Sequence, residues 1–151
     1  MAHVHHSAVY ARDVDASLRF YRDGLGLQVL MDHEFDGDWR TLFDAPGDRL
    51  RSIFLGDPDS PDAGIVELVT FAGAGGDGGA PPTLASLRPG FFLLSFFVDV
   101  DETLARLATL GFDAPARRIQ VPAPRGGVDM VTLRDPDGVL VELVGSARMP
   151  A

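Results

Sequence analysis

Two glutamates stand in apolar segments that otherwise have the composition of buried strands. Residues 64–69 read GIVELV and residues 138–144 read GVLVELV, which places Glu67 and Glu142 among Ile, Val and Leu. Both faces of the first segment are mostly apolar, so exposure to solvent does not readily explain Glu67. A buried carboxylate is costly unless it is paired, hydrogen-bonded or bound to a cation. The two glutamates therefore suggest a divalent metal site or a shared-proton acid–base pair, with an arginine or amide partner as the purely structural alternative.

The composition is that of one globular domain that binds neither nucleic acid nor an anionic membrane. The 151 residues are 46% hydrophobic, enough to bury a core, and the net charge is −9, whereas both kinds of binding need basic patches. The absence of cysteine excludes disulfides and thiol nucleophiles. No apolar run approaches the roughly 18 residues of a membrane span, and the first ten residues lack the layout of a secretory signal. We expect a cytoplasmic protein.

The elements that would position the glutamates occur twice along the chain. The first set comprises a strand at 4–12, a helix from Asp13 to Gly24 or Gly26, and strands at 27–35, 49–56 and 64–71, with a loop at 36–48. The second set comprises a strand at 91–100, a helix from Asp101 to Gly111, and strands at 117–121, 128–133 and 139–144. A shift of 87 residues aligns Phe20 with Leu107 and Gly24 with Gly111. The sequence therefore predicts an internal repeat of a βαβββ unit.

A segment rich in glycine, alanine and proline separates the two repeats. Residues 72–90 read AGAGGDGGAPPTLASLRPG and contain little that could be buried, which is typical of a linker or surface loop. Its glycines lack a following Gly-Lys-Ser/Thr, so a phosphate-binding loop is not expected. The predicted organisation is a single domain with module 1 at about 4–71, the linker at 72–90 and module 2 at about 91–145.

The two ends of this repeat resemble the vicinal oxygen chelate superfamily, which contains glyoxalases, bleomycin-resistance proteins and extradiol dioxygenases. The opening HHSAVYARDVDASLRFYRDGLGL has the family's His at the head of a strand, the Asp seven residues later, then Ser, Phe-Tyr and Leu-Gly. The closing DPDGVLVEL resembles the family's Asp-Pro-Asp-Gly turn followed by a strand that ends in Glu-Leu. The resemblance implies an α+β fold in which two tandem βαβββ modules pack into a curved mixed sheet that encloses a pocket.

The resemblance also implies a set of metal ligands, one from the first and one from the last strand of each module. Carried to this chain, these positions are His6, Glu67, Leu93 and Glu142. Leu93 cannot coordinate a metal, which argues against extradiol dioxygenase chemistry and weakens a four-ligand glyoxalase assignment. His6, Glu67 and Glu142 remain as expected ligands for Mg, Mn, Fe, Ni or Zn, and the loss of the third ligand leaves a metal-free site as the alternative. His33, on the second strand, is a further candidate to replace the missing third ligand, but nothing in the sequence pattern supports it.

Strand alternation and the expected pocket identify residues that would contact a ligand. Tyr10 shares a face with His6, while Leu93, Ser95 and Phe97 share a face of the first strand in module 2. Trp39 and Phe43 lie in the loop after the second strand and are candidates to cover the site. These residues predict a mostly apolar pocket for a hydrophobic or aromatic ligand.

Three functions are consistent with these residues. The first is a metal-dependent lyase or isomerase, in which one glutamate doubles as the base and the substrate is small, oxygenated and partly hydrophobic. The second is a non-catalytic binder of a drug-like molecule, similar to the bleomycin-resistance proteins. The third is a metal-free enzyme in which Glu67 and Glu142 exchange a proton. The resemblance implies a homodimer in each case.

Overall fold

The computed structural model describes residues 4–73, 91, 93–121 and 127–146, which form two four-stranded sheets and several short helices. The strands are β1 (His6–Tyr10), β2 (Gln28–Asp36), β3 (Arg49–Gly56), β4 (Ile65–Phe71), β5 (Leu94–Phe97), β6 (Arg117–Val121), β7 (Val128–Arg134) and β8 (Leu140–Ser146). The helices are α1 (Val14–Leu18), continued by a π-helical segment (Arg19–Gly24), α2 (Trp39–Phe43) and α3 (Val100–Thr109). None of the helices in these ranges is long and apolar enough to cross a membrane. Apart from Ala72 and Gly73, the predicted linker lies outside the described residues.

The two sheets repeat one topology. Sheet A has the strand order β1-β4-β3-β2 and sheet B has the order β5-β8-β7-β6, with the first and last strands of each module parallel. Ala8 lies opposite Glu67 in sheet A, and Ser95 lies opposite Glu142 in sheet B. Because Ala8 and Ser95 are related by the predicted shift of 87 residues, the register confirms the βαβββ repeat and the α+β class.

Aspartate side chains determine where the two longer helical segments begin. Asp13 caps α1 as predicted, because its carboxylate accepts a hydrogen bond from the Ala16 amide at 3.1 Å. The prediction that Asp101 caps the second helix is wrong. Asp99 holds the extended backbone of a cap and accepts the Glu102 amide at 3.0 Å, whereas Asp101 lies within the first turn of α3.

Two further segments differ from their predicted structure. The predicted loop at 36–48 contains α2, which begins after Asp38, whose side chain accepts the Thr41 amide at 3.1 Å. This helix ends at Asp44, which has a left-handed φ of 54°. The strand predicted at 91–100 is confined to Leu94–Phe97, because the chain leaves the sheet after Val98, whose amide still bonds the Val144 carbonyl at 2.9 Å, and α3 begins after Asp99.

One hydrophobic cluster joins both modules and leaves the opposite face of each sheet open. Fully buried members come from the π-helical segment, from both sheets and from α3, namely Phe20, Tyr21, Leu68, Leu107, Val131 and Leu143. Neighbouring residues in a strand point to opposite faces, so the side chains between these core positions point away from the cluster. We call the side of each sheet that carries them its open face.

The Asp-Pro-Asp-Gly turn before β8 contacts the beginning of the first helix. The Asp137 carboxylate accepts hydrogen bonds from the Arg12 amide at 2.8 Å and from the Ser17 hydroxyl at 3.1 Å. The two segments that carry the family resemblance therefore meet in the folded chain, and they connect module 1 to module 2.

Candidate functional site

The open face of sheet A carries the residues from which a site can be built. Val9, Ile53 and Leu68 point into the core, so their strand neighbours point outward. From the four strands these outward residues are His6, Ala8 and Tyr10; Met31, His33 and Phe35; Leu50, Ser52 and Phe54; and Glu67, Val69 and Phe71. This face combines imidazole, hydroxyl, carboxylate and aromatic groups, whereas the core face is apolar.

Glu67 is stabilised on this face by two polar neighbours. Its Oε1 accepts a hydrogen bond from the Ser52 hydroxyl at 2.5 Å, and its Oε2 lies 3.3 Å from His6 Nε2. The Glu67 side chain is 13% exposed, compared with 40% for His6. A half-buried carboxylate with one hydroxyl donor and one imidazole partner has lost much of its water but is not left unpaired. These contacts explain how an apolar strand tolerates this glutamate.

Each nitrogen of the His6 imidazole has a polar neighbour, and together these neighbours fix the orientation of the ring. Its Nδ1 lies 2.8 Å from Nδ1 of His5, while its Nε2 faces Glu67. In neutral His6 the carboxylate favours the proton on Nε2, and His5 then donates to Nδ1. The Phe54 ring lies 5.4 Å from the His6 ring and limits its rotation. His6 therefore presents an N–H group next to the Glu67 carboxylate.

A small cleft adjoins His6 where β1 meets β5. The cleft has a volume of about 180 Å³, and its lining includes His5, His6 and Ile65 from sheet A and Ser95 from sheet B. Ser95 is exposed and lies opposite Glu142 in the sheet register. The structure therefore brings the predicted ligand-binding residue Ser95 to the same cleft as His6.

Glu142 does not join His6 and Glu67. It lies half-buried on the open face of sheet B between Ser95 and Thr132, and Leu93, at the third expected position, is half-buried and offers no ligand atom. Among the described residues, no group of three or more His, Asp or Glu side chains is close enough together to hold a metal ion. The predicted trio does not fit a three-ligand metal site in this arrangement, because only two of its members converge.

Four aromatic side chains continue the open face of sheet A away from His6. The Tyr10 ring lies 5.8 Å from Phe71, Phe71 lies 6.2 Å from Phe43, and Phe43 stacks on Trp39 at 5.9 Å and 9°. The Trp39 indole also donates to the Phe35 carbonyl at 3.0 Å. We call Tyr10, Trp39, Phe43 and Phe71 the aromatic wall. The predicted residues Tyr10 and Trp39 are thus part of one surface.

Phe97 belongs to a different part of the molecule. It is 82% exposed and lines a cavity of about 440 Å³ at the start of α3. Arg118 crosses this cavity between Asp101, at 2.8 Å, and Asp129. The Arg118 guanidinium holds the pKa of the Asp129 carboxyl below its ordinary value. The prediction that Phe97 shares a pocket with His6 is not supported, since the described lining of the His6 cleft takes Ser95 but not Phe97 from β5.

Sequence reasoning recognised Phe43 as a possible cover but missed Ser52, His5 and Phe71. A signal existed for Ser52, because it is the one hydroxyl within the strand RLRSIFLG and alternates with Leu50 and Phe54. No comparable signal pointed to Phe71, because its contact with Phe43 depends on a helix in a segment predicted to be a loop.

Comparison with known proteins is consistent with this fold. The sequence pattern of the Glyoxalase/Bleomycin resistance protein/Dioxygenase superfamily matches residues 3–143. A lactoylglutathione lyase-like protein, terB, from Aspergillus terreus is 37% identical over 149 residues, which cover 93% of this chain and 74% of that protein.

Solved structures show the same architecture at lower identity. A glyoxalase family protein from Bacillus cereus matches with a TM-score of 0.69 and 20% identity, over 98% of this chain and 96% of its own. The trypanothione-dependent glyoxalase I of Leishmania major matches with a TM-score of 0.59 and 22% identity, over 96% of this chain and 87% of its own. These two likenesses support the fold alone, while the sequence pattern and the fungal relative support the family. The chain belongs to the Glyoxalase/Bleomycin resistance protein/Dioxygenase superfamily.

Proposed function

We propose that this protein is a lyase or isomerase that moves a proton on a small, oxygenated and partly hydrophobic substrate at the open face of sheet A. The observation that carries the proposal is the series of contacts Ser52–Glu67–His6, in which a half-buried carboxylate accepts a hydrogen bond from Ser52 and lies 3.3 Å from an exposed imidazole. A carboxylate and an imidazole side by side are a common means of general acid–base catalysis. The family, and the lyase-like name of the fungal relative, agree with this reaction class.

Glu67 acts as the base in this proposal. The Ser52 hydroxyl occupies Oε1, and His6 faces Oε2, so the carboxylate is held in one orientation while lone pairs remain available towards the open face. Partial removal of water strengthens its interaction with a substrate C–H or O–H group. In an isomerisation the proton that Glu67 takes from one substrate atom is returned to a neighbouring atom; in an elimination the bond to the leaving group breaks and the proton departs with that group.

His6 stabilises the charge that develops on the substrate. Removal of a proton next to a carbonyl group places negative charge on the carbonyl oxygen, and an N–H donor in hydrogen-bonding range lowers the energy of that state. His6 is 40% exposed and lines the cleft, so its Nε2–H group can pass from Glu67 to a substrate oxygen. His5 supports this role because its contact with Nδ1 keeps the ring oriented.

The proposed chemistry uses only these side chains. The predicted metal role of His6, Glu67 and Glu142 needs a third ligand near the pair, and Glu142 stands apart on sheet B. The metal-free pairing of Glu67 with Glu142 needs the same proximity. The side chain that acts together with Glu67 in this proposal is therefore His6, which donates a hydrogen bond to the substrate oxygen that becomes charged.

Hydrogen exchange tests this function without knowledge of the natural substrate. Hydroxyacetone, a small α-hydroxy ketone, would be incubated in D₂O with untagged, chelator-treated protein, and loss of its methylene proton signal would be followed by NMR. We expect Glu67→Gln to slow the protein-catalysed exchange by about 100-fold or more. Glu34→Gln, which neutralises an exposed carboxylate on β2, should leave the rate unchanged.

Two results would contradict the proposal. The first is exchange that is equally fast in the wild-type and Glu67→Gln proteins. The second is a loss in Glu142→Gln as large as that in Glu67→Gln, since that would make the two glutamates a functional pair. Circular dichroism of each variant separates an effect on chemistry from an effect on folding.

A further inference from the structure

We infer that the aromatic wall binds a flat, uncharged ring system of the substrate, so that the substrate extends from the wall to the His6–Glu67 pair. The inference rests on the proposed function, which places the reacting end of the substrate at His6 and Glu67. It adds that the other end of the substrate is an aryl or conjugated ring. Tyr10, Phe43 and Phe71 are the residues that select this ring.

The exposure of the wall is the first observation. Tyr10 is 57% exposed and Phe43 is 55% exposed, although each has an aromatic neighbour in contact. Exposed aromatic rings that adjoin one another form the kind of apolar surface that usually marks a binding site. Single exposed apolar residues would need no such explanation, whereas four linked rings on one face do.

The wall is also held in place before any ligand arrives. Phe43 stacks nearly parallel on Trp39, whose indole nitrogen is hydrogen-bonded to the Phe35 carbonyl. Tyr10 and Phe71 extend from neighbouring strands of one sheet and meet at 63°. A flat ring that contacts such a surface gains area and favourable edge or face contacts, while the protein loses little conformational freedom.

Strand geometry fixes the separation between the wall and the reactive pair. Tyr10 lies four residues beyond His6 on β1, and Phe71 lies four residues beyond Glu67 on β4. At about 3.3 Å per residue each separation along one strand is about 13 Å between backbone positions. Across the strand pair the wall is closer to the base, because Ala8 lies opposite Glu67 and only two residues before Tyr10, which is about 7 Å along the sheet. A molecule in which a ring is linked to a hydroxy ketone can therefore contact the wall and the reactive pair together.

The surface between the two ends permits such a molecule to lie along the sheet. Ala8 and Val69 occupy the intervening positions on the open face, and Ala8 has only a methyl group. The wall itself contains no charged side chain, which favours a neutral ring over a cationic or anionic one. The cleft of about 180 Å³ beside His6 then receives only the oxygenated end.

The alternative occupant of an exposed apolar face is a second copy of the chain. That occupant would be expected to cover the wall whether or not a small molecule is present. The reactive pair on the same face favours a substrate, because a wall covered by a second copy would obstruct the open side of His6 and Glu67.

Binding of two matched probes tests the inference. Hydroxyacetone and 2-hydroxy-1-(biphenyl-4-yl)ethanone share the same head, but only the second carries linked rings, and calorimetric titration gives an affinity for each. We expect the wild-type protein to prefer the biphenyl probe by at least about tenfold, and Phe43→Ala to reduce its affinity for that probe by about tenfold. Phe91→Ala removes an exposed phenylalanine that belongs to none of the described strands or helices, and it should leave the affinity unchanged.

The possible outcomes distinguish a failure of this inference from a failure of the proposed function. No saturable binding of the biphenyl probe, equal losses in Phe43→Ala and Phe91→Ala, or a dimer that dissociates in Phe43→Ala would overturn the inference. If Glu67→Gln retains hydrogen exchange but Phe43→Ala loses affinity for the biphenyl probe, the proposed function fails and the wall stands as a ring-binding site. If Glu67→Gln loses exchange but the wild type shows no preference between the probes, the proposed function stands and the inference fails.

Discussion

The Tyr21 hydroxyl donates a hydrogen bond of 2.7 Å to Oδ2 of Asp135, and both groups are buried. Tyr21 belongs to the π-helical segment of module 1, while Asp135 opens the turn before the last strand of module 2. The other oxygen of Asp135 accepts the amides of Asp137 and Val139 at 2.9 and 2.7 Å. This buried carboxyl group therefore organises its own turn and, through Tyr21, connects the two modules.

Removal of the Tyr21 hydroxyl should destabilise the protein. Tyr21→Phe keeps the buried ring but leaves Oδ2 of Asp135 without its donor, and we expect the free energy of unfolding to fall by about 1–3 kcal/mol. Urea denaturation measures the change. Tyr10→Phe removes an exposed hydroxyl and should alter the free energy of unfolding by less than about 0.5 kcal/mol. Equal effects of the two substitutions would show that the Tyr21–Asp135 contact contributes nothing specific.

The Asp135 carboxyl should give stability a recognisable pH dependence. Burial raises its pKa above the ordinary value of 3.8, with the neighbouring Asp137 carboxylate acting in the same direction, and this outweighs the opposing hydrogen bonds from Tyr21 and the backbone. The folded protein therefore binds this proton more tightly than the unfolded chain does. Stability contributed by Asp135 should fall as the pH rises from about 4 to the folded pKa, and it should level off above it.

Asp135→Asn isolates this contribution, because asparagine resembles the neutral acid and does not titrate. We expect the free energy of unfolding of the wild type, relative to that of the variant, to decrease between about pH 4 and neutrality. The measurement is a series of urea titrations at constant ionic strength. A constant difference over the whole range would contradict the assignment of a raised pKa to Asp135.

Much of the scaffold could be predicted from the sequence, because its signals are local. The strand RLRSIFLG and the strand at 117–121 were predicted with the observed bounds, and Asp13 was recognised as a cap. The repeat could be predicted because both modules bury similar residues at similar spacing. The cap of α3 was misplaced by two residues, since Asp99 and Asp101 are equally suitable types and only the point at which the chain leaves the sheet, after Val98, decides between them.

The site was harder to predict because it depends on distances between strands that are remote in sequence. Glu67 was recognised as a carboxylate that needs a partner, yet its donor, Ser52, comes from the adjacent β3. The equivalence of Glu67 and Glu142 was correct in register, but equivalence by repeat places them on different sheets rather than next to each other. A repeat relates positions by symmetry and does not by itself bring them into contact.

Ser52 should act as a positioning residue for Glu67. Ser52→Ala removes the hydrogen bond to Oε1, which leaves the carboxylate freer to rotate, and we expect the rate of hydrogen exchange with hydroxyacetone to fall by about tenfold. Ser52→Thr retains the hydroxyl and should recover part of the rate. Thr132→Ala, next to Glu142 on sheet B, provides the control and should have no effect. Equal rates in Ser52→Ala and the wild type would remove Ser52 from the mechanism.

The open face of sheet B should take part in self-association. Phe97 and Ile119 are 82% and 61% exposed on the two edge strands of this sheet, and a second chain that covers the whole face would bury both. We expect light scattering to give the mass of a dimer for the wild type and to shift towards a monomer for Ile119→Asp. A monomeric wild type would contradict this prediction, while an unchanged dimer in Ile119→Asp would place the interface elsewhere.

Metal content provides the sharpest distinction between the mechanism proposed above and the metal-dependent mechanism that the family resemblance implies. His6 and Glu67 supply two ligands, whereas tightly bound divalent ions in catalytic sites usually have three from the protein. Elemental analysis of untagged, dialysed protein should therefore give well below one metal ion per chain, and Glu142→Ala should give the same value. Untagged protein is essential because an affinity tag would add imidazoles to the His5–His6 pair. One tightly held ion per chain that is lost in Glu142→Ala with the fold intact would contradict this prediction. It would mean that Glu142 reaches the pair, and that Glu67 functions as a ligand as well as a base.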